Sequence, residues 1–238
     1  MKIVNIETTA LYYPHGKSIQ DATIHPPAQE ESGRGQLFVH IFTDEGIEGL
    51  GMTYLSPGTR DVIDSALKKI LIGKNPLDIE RLWNEMYWEV RGYGRKGIAF
   101  CAISAVDIGL WDLKAKSVNL PLYKLLGAYT ESVPIYGSGG WTNFSEQELL
   151  KEMTDYVESG IQKVKMKVGK DFGQSEREDI QRVASVRKAV GDNVAIYIDA
   201  NNGYYRKQAI YMAKEFEQYQ VCWFEAVSYT HLTLPTNA

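Results

Sequence analysis

The sequence predicts an α+β unit over residues 1–128, followed by an incomplete (β/α)8 barrel over residues 129–225. Three observations predict it. The first 128 residues run strands first and helices afterwards, the order of an α+β unit. From Val133 the rhythm changes to strand, helix, strand, helix. That repeat is roughly thirty residues, the share of one strand–helix unit in a barrel of about 250 residues. About the first four barrel strands fit before the sequence ends.

The elements of the first unit follow from their patterns. Lys2 to Tyr12 alternates loosely and reads as a strand. Gln36 to Thr43 is rich in β-formers, Asp44-Glu45-Gly46 signals a turn, and Ile47 to Tyr54 returns, so Leu37 to Tyr54 reads as a hairpin. Pro14 to Gly35 between them is polar and reads as a long loop, of a length typical of binding loops or lids. Helical spacing then predicts helices over Thr59–Ile72, Pro76–Glu89 and Gly97–Lys116. The last presents a small-residue face, Ala102, Ala105, Val106 and Gly109, that allows close packing. Its acids, Asp107 and Asp112, read as satisfied core or interface groups. Pro121 to Leu126 reads as a short helix ended by Gly127.

In the second unit Val133 to Gly137 reads as a strand. Ser145-Glu146-Gln147-Glu148 is a capping box that opens a helix, and Ser175-Glu176-Arg177-Glu178 is a second one. Between them Lys163 to Val168 alternates strictly, with Val164, Met166 and Val168 in one phase and Lys163, Lys165 and Lys167 in the other. Val194 to Asp199 and Val221 to Glu225 are further strands, separated by a helix over Tyr204–Gln218. Gly137-Ser138-Gly139-Gly140 lacks a full dinucleotide fingerprint and reads as a barrel loop.

Composition excludes several classes. Apolar content of 44% and charged content of 24% are those of a globular protein. A net charge of −4 gives no electrostatic case for nucleic acid or an anionic membrane. No apolar run is long enough to span a bilayer, and Glu7 interrupts what a signal peptide would continue as apolar. Cys101 and Cys222 are distant and unpatterned, which predicts reduced thiols and a cytoplasmic location. The four histidines show no zinc spacing.

The chemistry gathers at strand ends. A parallel strand covered by helices has two buried faces, and burying two ammonium groups is costly unless anions compensate. The other reading of Lys165 and Lys167 is the wet face of an edge strand. The next strand ends on Asp199 and, in the same phase, Asn201; the one after ends on Glu225. The C-terminal ends of barrel strands form the active-site face. Two ammonium groups and two carboxylates therefore converge on one mouth.

With these motifs the chain resembles an enolase-superfamily enzyme of the mandelate racemase or muconate lactonizing type. Residues 1–128 resemble its capping domain, Val164-Lys165-Met166-Lys167 its Lys-x-Lys motif, and Asp199-Ala200-Asn201 and Trp223-Phe224-Glu225 its metal-ligand strands. The resemblance implies that Asp199 and Glu225 bind Mg2+, that Lys167 is a general base, and that Lys165 is its cationic neighbour on a substrate carboxylate. It implies that the Pro14–Gly35 loop with His25, and the turn near Tyr54, fold over the mouth and, with Asn201, contact substrate. The implied substrate is a small carboxylate, a sugar acid or hydroxy acid, and the implied parent is a homo-oligomer. The chemistry is coherent: a divalent ion on oxygen ligands stabilises the enediolate left when a lysine removes the proton α to a carboxylate.

The chain also departs from the family. The family continues with Pro soon after this glutamate; here Ala226-Val227-Ser228 leads into a tail, residues 226–238, that resembles translated adapter sequence and is excluded from fold reasoning. A third metal ligand and the second acid/base group, expected on later strands, are not in the sequence given. Turnover by these 238 residues is therefore not expected. The polar capping loop points to a sugar-acid dehydratase or a mandelate-racemase-like enzyme. The alternatives are a muconate-type cycloisomerase or amino-acid-derivative racemase, and a non-catalytic fragment or binding module.

Overall fold

The computed structural model describes residues 1–12, 19–23, 35–54, 56 and 58–226. The chain divides into two compact units, Met1–Gly16 with Gly33–Glu131, and Lys17–Ser32 with Ser132–Ala238. His25 and all but the first residue of the tail lie outside the described residues.

In the first unit β1 (Ile3–Tyr12), β2 (Gly35–Thr43) and β3 (Glu48–Tyr54) form an antiparallel sheet in that order. The hairpin turns at Gly46, whose φ of 77° only glycine adopts freely. Thr59–Val62, a π-helical turn Ile63–Leu67 and Lys68–Leu71 make one helical run, α1. Then come α2 (Ile79–Glu89), α3 (Ile98–Ser117) and the short α4 (Leu122–Leu125). The small-residue face of α3 lies on the sheet, as its spacing predicts. A Cβ on Gly51 would collide with the Ala105 carbonyl, and one on Gly49 with that of Gly109. Asp112 is a satisfied interface group: it accepts from the Leu50 amide at 2.8 Å and pairs with Lys116. Ile6, Leu37, Val39, Ile41, Leu67, Leu82, Val106 and Leu110 fill the core between sheet and helices.

In the second unit β4 (Gly137–Ser138), β5 (Lys163–Lys167), β6 (Ala195–Asp199) and β7 (Val221–Glu225) form a parallel sheet in chain order. The connecting helices are α5 (Glu146–Glu158), α6 (Glu176–Val190) and α7 (Arg206–Glu217). One phase of each strand packs on them: Val164, Met166, Ile196 and Ile198 are wholly buried with Leu149, Met153, Val183, Val186 and Met212.

Two local expectations fail. The first barrel strand is shorter and later than Val133–Gly137: only Gly137 and Ser138 pair with β5, while Val133 and Ile135 are exposed. The capping box at Ser145 forms, with Glu148 closing it, but the one at Ser175 does not. The Ser175 hydroxyl donates instead to Asp171 at 2.7 Å, in a turn where Asp171 and Phe172 are left-handed.

Candidate active site

The second phase of the four parallel strands faces away from the helices, and it carries the polar residues. Register places them in layers: Lys165 lies opposite Tyr197, which lies opposite Trp223; Lys167 lies opposite Asp199, which lies opposite Glu225. The lower layer is aromatic. Tyr136, Tyr197 and Trp223 meet edge-to-face with centroids 5.5 to 6.1 Å apart. The upper layer is ionic.

Lys165 is 6% and Lys167 8% exposed, so the strand is buried on both faces and the edge-strand reading is wrong for it. Anions compensate the burial, as physics requires. Lys167 Nζ lies 2.5 Å from Asp199 Oδ2, and Lys165 Nζ lies 2.6 Å from Glu225 Oε2. Lys165 also donates to the Tyr136 hydroxyl at 3.2 Å, and its ammonium sits 5.0 Å from that ring's centroid. Burial pulls the Lys165 pKa down, but the hydrogen bonds to Glu225 and Tyr136 outweigh it and hold it above the ordinary lysine value. Lys167 lies 5.4 Å from the centroid of Trp141.

The Asp199-to-Gly203 segment is both a turn and part of the site. Asp199 Oδ1 accepts from the Asn201 amide at 2.9 Å, while Asn201 and Asn202 take left-handed φ of 44° and 64°. Asparagine tolerates that conformation better than most residues. The turn leaves Asn201 Oδ1 buried and without a hydrogen-bond partner. An orphaned amide oxygen on the turn after Asp199, with Glu225 opposite Asp199 in register, offers oxygen-only donors, which suit a hard divalent cation such as Mg2+. Among the described residues no third carboxylate, histidine or cysteine joins them. Mg2+ keeps several waters in protein sites, so the set fits as part of its shell.

The segment Ile19–Thr23 of the long N-terminal loop lies on the turns that follow these strands. The Gln20 carbonyl accepts from the Thr142 amide at 2.8 Å and from its hydroxyl at 3.0 Å, and the Gln20 amide donates to Asn143. Ala22 is wholly buried, and a Cβ on Gly203 would come within 2.8 Å of it. Of the residues predicted to form the site, Lys165, Lys167, Asp199, Asn201 and Glu225 come together here. Tyr54 belongs to the first unit, where it is exposed at the end of β3. Tyr136 lies inside the expected Val133–Gly137 strand but not at a charged strand end; its phase, two residues before Ser138, is the signal that finds it.

Residues 24–127 match the mandelate racemase/muconate lactonizing enzyme N-terminal domain, and residues 148–230 match the enolase C-terminal domain-like family. The chain belongs to the mandelate racemase/muconate lactonizing enzyme family of the enolase superfamily. It is 34% identical over 225 residues to an L-talarate/galactarate dehydratase of Salmonella typhimurium, covering 92% of this chain and 56% of that protein. It is 37% identical over 193 residues to an arabinonate dehydratase of Saccharolobus solfataricus, covering 78% of this chain and 50% of that protein. The crystal structure of the Salmonella dehydratase liganded with Mg and L-lyxarohydroxamate superposes with a TM-score of 0.83 at 32% identity, covering 96% of this chain and 59% of that one. This chain thus spans about half the length of the curated relatives it matches. Among the described residues no helix is long and apolar enough to cross a membrane.

Proposed function

We propose that this chain carries the proton-abstracting half of a Mg2+-dependent enzyme acting on a sugar acid, a dehydratase in its complete form. The observation that carries the reading is a double ion pair: two ammonium groups and two carboxylates on three adjacent parallel strands, with Lys167, Asp199 and Glu225 in register and Lys165 one layer below, and an orphaned amide oxygen on the turn after Asp199. The dehydratase relatives support the substrate class.

In this reading Asp199 and Glu225 would hold the cation, and Asn201 would contact substrate. The bound cation supplies Lewis-acid stabilisation of negative charge on the substrate carboxylate. Both lysines now lie against those carboxylates. Were Asp199 to bind the cation, the Lys167 ammonium would lose its counter-anion; having released its own proton to solvent, the neutral Nζ would take the proton from the carbon next to the carboxylate. Lys165, held by Tyr136, keeps its charge and pairs with the substrate carboxylate. Tyr136 and Trp223 of the aromatic layer flank the Lys165 ammonium, 5.0 and 6.0 Å from their ring centroids.

Proton abstraction needs only the base, the neighbouring charge and the cation, so it is testable without the group that completes dehydration. With Mg2+ and galactarate in deuterium oxide, the chain should wash deuterium into the position α to the carboxylate. Lys167→Ala should abolish the exchange, and Asp199→Ala should abolish Mg2+ binding measured by titration calorimetry. Exchange that persists in Lys167→Ala would refute the assignment of the base.

A further inference from the structure

Helix α6 carries two buried charges that the proposed chemistry does not use. Asp179 is wholly buried, and Arg182, three residues on, is 6% exposed. They share a face with Val183 and Val186, which pack on the sheet as barrel helices normally do. Each buried charge needs an account of its partners.

The partners are one tyrosine hydroxyl and backbone groups of two turns near Lys167. Asp179 Oδ2 accepts from the Gly169 amide at 2.9 Å and from the Tyr204 hydroxyl at 2.7 Å; Oδ1 accepts from the Lys170 amide at 3.4 Å. The Gly169 amide is shared with the Tyr204 oxygen at 3.1 Å. Arg182 donates to the carbonyls of Gly140, Trp141 and Phe144 at 2.8 to 3.0 Å. The Gly140 carbonyl also accepts from the amide of Lys167 itself at 3.1 Å, while the Gly140 amide donates to Glu152 at 2.6 Å.

One helix face therefore holds two turns: Gly169–Lys170, just past the base, and Gly140–Trp141, whose indole lies against the Lys167 ammonium. Gly169 has φ 81°, and a Cβ there would lie 2.9 Å from the Ala200 carbonyl. No side chain fixes this turn from within; the Val168 amide ties it to the Asp199 carbonyl at 3.0 Å, and Asp179 holds the Gly169 amide.

We propose that Asp179 is a positioning residue for Lys167, acting through the Gly169 turn, with Arg182 as its counterpart on the Gly140 turn. The carboxylate anchors the end of β5 and so sets where the Lys167 ammonium meets Asp199. Its catalytic meaning rests on Lys167 being the base; the coupling itself does not.

The test is nuclear magnetic resonance on the full 238-residue chain, which needs no turnover. In the wild type, the slowly exchanging ammonium signal of Lys167 and a downfield amide signal of Gly169 are expected. Asp179→Asn should move the Gly169 signal upfield and remove that of Lys167, while cooperative unfolding persists. Tyr204→Phe, which keeps the carboxylate and both backbone donors, should move both signals in the same direction by less. It carries the test alone if Asp179→Asn does not fold. A Gly169 signal that moves while the Lys167 signal stays would reduce Asp179 to a structural role and overturn the proposal. Coupled loss in a chain that shows no deuterium exchange would sustain the positioning and overturn only the function proposed above.

Discussion

The two units bury similar side chains in their cores and differ in what else they bury. The first encloses Ile, Leu, Val, Met and Ala between its sheet and helices. Among the described residues its buried polar side chains are two threonines, Thr43 and Thr59. Every buried charged residue among those described, Asp21, Lys165, Lys167, Asp179, Arg182 and Asp199, belongs to the second unit. A charge removed from water is tolerated only with partners, and breaking such a pairing costs more than never having made it. The first unit is a packing solution that small geometric errors weaken. The second is held by reciprocal polar contacts that serve its strand ends, and single deletions disrupt it.

The largest effect should come from Arg182→Ala. It strips hydrogen bonds from three carbonyls and leaves Asp179 without its nearby cation. A loss of about 3–5 kcal/mol is expected, confined to the second unit, as for other broken buried charge sites. Amide exchange resolved by unit measures it, and an equal loss of protection in both units would contradict the contrast.

Next is a pH effect. Burial pushes the Asp179 carboxyl up to about 6, against the opposing hydrogen bonds of Tyr204, Gly169 and Lys170 and the charge of Arg182. A carboxyl raised on folding holds its proton more tightly in the folded state. Its contribution is fully present below the unfolded value of about 3.9 and is lost as pH rises through the folded value. Wild type should therefore gain on the order of 2 kcal/mol over Asp179→Asn as pH falls from about 7.5 to about 4.5. Urea unfolding of both proteins across that range gives the difference; a flat difference, or one of opposite slope, would sink the expectation.

Smallest is Gly51→Ala in the first unit. The added methyl meets the Ala105 carbonyl, and overpacking of this kind costs about 1–3 kcal/mol. Thermal unfolding should register it without changing the Mg2+ binding or lysine signals of the second unit.

Much of this was legible in the sequence because period and polarity agreed. The strict alternation of Lys163 to Val168 located β5 and assigned its faces, and the acids in phase on the next two strands identified the ionic layer. What escaped depended on partners that period and polarity do not show. Val133 and Ile135 have strand chemistry but no neighbour to pair with, so β4 shrinks to two residues. Ser175 has the spacing of a cap but a nearer acceptor in Asp171. Asp179 and Arg182 carry no motif; their partners are backbone groups of other turns and the Tyr204 hydroxyl. Their signal was that both fall in the buried phase of Val183 and Val186, where ordinary surface charges do not.

Trp223 offers a further use of the barrel's inner face. It stands on β7, an outer strand of the four among the described residues, with 46% of its surface exposed and its indole against Tyr197 and Tyr136. It is an optical gauge fixed one layer below the ionic site. A strand that pairs with β7 and covers this indole would shift its emission to shorter wavelength. Closure of the sheet can thus be followed in real time by light, before any chemistry begins.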